Sequence, residues 1–87
     1  LKHQARYQSN GQINIVYEIP SESAVRIDVF DALGQPVSTL VNARQGAGEH
    51  QVLFSPPHRH LLSAGVYIYR IQVGGQMVSG KMRLVRN

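Results

Sequence analysis

Ile13, Ile15, Tyr17 and Ile19 fall on every second residue, with Asn14, Val16 and Glu18 between them. A chain buries such a row only as a strand with one face against a core. The same period returns at Val25, Ile27 and Val29, where the intervening Arg26 and Asp28 are expected to face outward with Glu18. It returns again at Tyr67, Tyr69, Ile71 and Val73, and in the shared faces of Val52 with Phe54 and of Val78, Met82 and Leu84. No stretch sustains a helical period, and "HLLSAG" is too short to count.

The punctuation between these runs fits strands too. Pro20 has no amide donor and ends the pairing of the first run. In "DALG", Asp31 can bond the backbone two residues on, and Gly34 supplies the positive φ that such a loop requires, leading into "PVSTLV" from Pro36. A Gly-rich loop, "RQGAGEH", precedes the run from His50 to Phe54. "SPPHRHLLSAG" reads as an irregular crossing, because Pro56-Pro57 cannot join a ladder and Gly65 restarts the chain. Gly74-Gly75 suits a two-residue hairpin turn, and Gly80 inside the last run marks a bulge or a close approach. Gly34 and Gly65 are expected where a side chain is strained or crowded. Five to seven short strands spaced by turns predict an antiparallel β-sandwich, with Ile15, Tyr17, Ile27, Val29, Phe54, Tyr67, Tyr69, Met82 and Leu84 inward. Residues 1–12 read as a polar lead-in from a longer precursor, and 13–87 as one module without an internal repeat.

Composition narrows the function. A chain of 87 residues, 43% hydrophobic and 16% charged, is a folded globule with a modest core. Without cysteine it has neither disulfides nor thiolate metal sites. No apolar run approaches the length of a membrane span, so membrane insertion is not expected. His50, His58 and His60 are the histidines that would have to gather round a metal, but the latter two sit in a Pro-rich loop with no carboxylate near them in sequence. The five acids, Glu18, Glu22, Asp28, Asp31 and Glu49, each have a structural task, and Ser63 and Ser79 lack the setting of a nucleophile. No catalytic, cofactor or metal site is expected. A sugar platform needs exposed aromatic rings, yet Tyr17, Tyr67 and Tyr69 fall on the inward faces and only Tyr7 has no core role. The net charge of +4 favours acidic partners. Arg26, Arg70, Lys81 and Arg83 form a basic stripe without interleaved aromatics, which reads as a solvated sheet face and gives no nucleic-acid partner.

"INIVYEIPSESAVRIDVFDALGQPVSTLV", "GAGEHQVLF" and "LLSAGVYIYRIQVGGQMVSGKMRLVRN" resemble the C-terminal sorting domain of the type IX secretion system. Six elements match in order: Tyr17 to Pro20 ending a strand, the alternating strand after it, the Asp31-x-x-Gly34 turn, Gly48 to His50, Gly65-Val66-Tyr67, and Lys81-Met82 in the closing hairpin. The Asn-Pro segment usual before the family's first strand is missing from "YQSNGQ". A related domain occurs in the flagellar hook-capping protein. The resemblance implies an immunoglobulin-like sandwich of about seven strands. It implies a non-catalytic address on a larger secreted cargo, carried through the periplasm to the cell surface or beyond. It further implies recognition by an outer-membrane translocon and removal by a sorting protease.

The closing strand is the expected site of recognition. Its alternating apolar face must be zipped into a sheet, which would present Lys81, Arg83 and Arg86 in a fixed row, and Lys81, Met82, Arg83, Leu84, Val85 and Arg86 form the candidate stretch. Tyr17, Pro20, Asp31, Gly34, Gly65 and Tyr67 are the candidate structural motif. The rival reading is an accessory module retained for cell-surface attachment or carbohydrate binding.

Overall fold

Asp31 shows how local chemistry sets a hairpin. Its carboxylate Oδ1 accepts hydrogen bonds from the Leu33 and Gln35 amides, each at 2.9 Å, and its carbonyl accepts from Gly34 N–H at 3.0 Å. Gly34 sits at φ 86°, where a Cβ is strained, so the Asp-x-x-Gly spacing is a backbone requirement. The turn joins β3 (Ser23–Phe30) to β4 (Pro36–Gln45), whose register shifts between Ile27 and Asp28 and between Val29 and Phe30. Pro36 is the first residue of β4, an edge position where its missing donor does no harm.

A computed structural model describes residues 1–8, 11–55 and 65–84. The remaining strands are β1 (His3–Tyr7), β2 (Ile13–Ile19), β5 (Gly48–Phe54), β6 (Gly65–Val73) and β7 (Gln76–Leu84). They form a three-stranded sheet in the order β1-β2-β5 and a four-stranded sheet in the order β4-β3-β6-β7, every pairing antiparallel. The two sheets face each other as a β-sandwich, consistent with the immunoglobulin-like expectation. The described residues contain no helix. The stretch expected as a polar lead-in contributes β1, which pairs with β2 from His3 opposite Tyr17 to Tyr7 opposite Ile13.

The core is the one the alternation predicts. All nine residues expected inward are buried, joined by Ile13, Ile19, Val25, Ile71 and Val73. Tyr67 and Tyr69 are only 5% and 2% exposed, so they pack the core and offer no flat platform to a sugar. Tyr17 lies among them, its ring stacked on His50 and its hydroxyl donating to Gln45 Oε1 at 2.6 Å. Pro20 is exposed just past β2, and Gly65 opens β6 at φ 140°, a conformation that disfavours a side chain. The β6–β7 turn is Gly74-Gly75, with Val73 and Gln76 closing the register and Gly74 at φ 56°. The register of β7 runs unbroken through Gly80, so that residue marks a close approach and not a bulge. A Cβ there would overlap the Tyr69 ring lying across it.

Candidate functional site

β7 divides its side chains between two tasks. Met82 and Leu84 are 1% and 8% exposed and belong to the core, whereas Lys81 and Arg83 are exposed on the outer face of the four-stranded sheet. Lys81 lies opposite Ile68 and Arg83 opposite Val66 on β6. Half of the described part of the candidate stretch therefore anchors the strand, and the other half shows itself to solvent. Val85 and Arg86 lie outside the described residues.

The next lanes of this face are chemically different. Asp28 was expected to face solvent by its place in the alternation, but the residue is only 5% exposed. Neighbouring long side chains cover it: Arg26 Nε donates to Oδ2 at 2.9 Å, Thr39 Oγ1 donates to Oδ1 at 2.7 Å, and an Arg70 Nη lies 3.7 Å away. Burial pushes this carboxyl group up. The hydrogen bonds from Arg26 and Thr39, with the charges of Arg26 and Arg70, more than offset that and hold it below the ordinary aspartate value. The guanidinium of Arg70 also lies over the Phe30 ring, 4.7 Å from its centroid.

The expected stripe of four cations is thus two pairs with different states. Arg26 and Arg70 share one carboxylate, while Lys81 and Arg83 enter no ion pair with the described residues. Of these four cations, the two without a carboxylate partner among the described residues both stand on β7. Among the described residues, no group of three or more His, Cys, Asp or Glu is placed to hold a metal. His58, His60 and Ser63 lie outside the described residues.

Sequence reasoning left one partner of β7 unassigned. The Arg83 N–H donates to the Tyr7 hydroxyl at 2.6 Å, so β1 fastens the far end of β7 across the gap between the sheets. A second tie lies beside it, with His3 Nδ1 and the Tyr69 hydroxyl 2.7 Å apart and the two rings edge to face. Burial, with a smaller contribution from Tyr7, raises the Tyr69 pKa, so this hydroxyl stays protonated across the physiological range. The only advance signal for the first tie was an aromatic residue in a polar segment with no place in the core.

The chain matches, over residues 9–85, the family model described as a secretion system C-terminal sorting domain. No curated protein matches it.

Proposed function

The chain belongs to the secretion system C-terminal sorting domains, the signals of type IX secretion, and on that premise we propose that the export machinery reads the basic row of β7. Domains of this family are C-terminal signals on larger proteins bound for the cell surface or the extracellular space, and the family is in general non-catalytic. In our reading this domain likewise performs no reaction. It crosses the periplasm folded with its cargo, is recognised by the outer-membrane translocon, and is then removed by the sorting protease.

One observation carries the reading. Lys81 and Arg83 are exposed and unneutralised on a strand whose alternate residues, Met82 and Leu84, are locked in the core. A partner therefore meets these charges at fixed spacing, without first ordering a tail. Solubility of an edge strand alone would also favour Lys and Arg here, so the test must separate the two roles. A cargo fused to the domain is expressed in a host with the secretion system, with and without Lys81→Gln/Arg83→Gln/Arg86→Gln. Lys81 and Arg83 are exposed, and substitutions at such positions should each change stability by no more than about 0.5 kcal/mol. We expect a variant that melts like the wild type to accumulate in the periplasm. Normal export of that folded variant would refute the reading.

A further inference from the structure

The free side of β7 is an unpaired main-chain ladder. Antiparallel partners alternate between pairs that exchange hydrogen bonds and pairs that do not. The two-residue turn makes Val73 and Gln76 the closing bonded pair, and the register to Leu84 is unbroken. The N–H and C=O groups of Met77, Ser79, Lys81 and Arg83 therefore point away from β6. The bond from Arg83 N–H to Tyr7 confirms this phase, because that amide reaches β1 and not β6. Tyr7 closes the ladder at one end. From Met77 to Lys81, no main-chain bond reaches that side from any described residue.

The charge on this face of the sheet selects the occupant. Arg26, Arg70, Lys81 and Arg83 stand on this face against the one carboxylate of Asp28. A second copy of β7 would bring no compensating charge, since Gln76–Leu84 contains neither Asp nor Glu. We infer that the Met77–Lys81 edge docks an extended segment of a partner protein carrying carboxylates on alternate residues, which adds a fifth strand beyond β7. Its acids lie on the face of Lys81 and Arg83. Its intervening residues lie beside half-buried Val78 and are small or apolar. Main-chain bonds supply affinity and the carboxylates select the partner.

This inference rests on β7 being the recognition strand, but it fails separately. Ser79→Pro removes one outward amide and leaves every charge in place, and an edge strand tolerates Pro where the N–H faces solvent. A cargo bearing Ser79→Pro should accumulate in the periplasm although the domain melts like the wild type. Normal export would overturn edge docking, leaving the basic-row reading to its own triple variant. A titration of the 87-residue chain decides the matter independently of that variant's folding. The probe is a six-residue peptide alternating Glu and Val, compared with the same peptide N-methylated on alternate amides. The unmodified peptide should protect the Met77, Ser79 and Lys81 amides from hydrogen exchange. Losing two or three main-chain bonds should weaken the methylated peptide roughly tenfold or more. Equal binding of the two peptides would overturn the inference. So would shifts at Lys81 and Arg83 without amide protection, because they would reveal a surface that reads charge alone.

Discussion

Gly80→Ala should destabilise the domain, although alanine is ordinarily the better residue in a strand. The usual gain is about 0.5–1 kcal/mol from the more restricted unfolded chain. Here the new methyl would overlap Cζ and the hydroxyl of Tyr69, whose ring crosses from the paired position on β6. These atoms are the far end of a side chain, but not a free one. The ring is 2% exposed, and its hydroxyl lies 2.7 Å from His3 Nδ1. Swinging it aside costs the overpacking typical of a full core, about 1–3 kcal/mol, and the His3 hydrogen bond, about 1 kcal/mol. The net loss is then about 1–3 kcal/mol, and a Tm drop of about 5–20 °C follows for a domain of this size. Thermal melts of Gly80→Ala, Tyr69→Leu and the double variant form a cycle that isolates the contact. Once Tyr69 is leucine, Gly80→Ala should become neutral or stabilising. A single variant that melts at or above the wild type would refute the argument. So would equal losses from Gly80→Ala in both backgrounds.

Gly34→Ala should cost about 1 kcal/mol, because alanine must adopt φ 86°; an unchanged melting temperature would count against a backbone requirement in that turn. Asp28 has a folded-state pKa below its unfolded one, so it contributes stability above the unfolded value that is lost as pH falls through the folded one. Asp28→Asn should therefore lower stability at neutral pH and flatten the acid limb of a urea-denaturation series below about pH 4; an identical acid limb in the variant would remove Asp28 as its source. Tyr7→Phe should speed hydrogen exchange at the Arg83 amide while costing no more than about 1 kcal/mol overall, and an unaltered Arg83 rate would show that Tyr7 does not fasten β7.

The elements most legible in sequence are those whose burial repeats along one strand. Ile13 to Ile19 and Tyr67 to Val73 each announce a face, and Asp31 with Gly34 announces the turn between two strands. β1 was not legible because the alternate positions His3, Ala5 and Tyr7, which pair with the inward residues of β2, form no apolar row. It is held by main-chain pairing to β2 and by ties through two side-chain polar atoms. Asp28 misled for a related reason. Alternation predicts the face a residue takes, but not what neighbouring side chains do above it. Arg26, Thr39 and Arg70 bury its carboxylate on the face that should be wet. On β7 the alternation separated the anchors Met82 and Leu84 from the displayed Lys81 and Arg83. The contrast between Arg70, paired with Asp28, and unpaired Lys81 depends on contacts across three strands and left no trace in spacing.

The bond between Tyr7 and Arg83 joins positions 76 apart in the chain, and this constrains the order of assembly. The β3–β4 and β6–β7 hairpins close short loops and can form as soon as each emerges. Pairing of β3 with β6, and the meeting of β1 with β7, must wait for distant residues, and nonlocal closures of this kind make β-sandwiches fold in roughly milliseconds to seconds. A chain synthesised from its amino end therefore holds β1 without its counterpart until residue 83 is free. A chain stopped before β7 keeps the β6 edge open and lacks Met82 and Leu84, so completion of the sandwich reports that synthesis has passed β7.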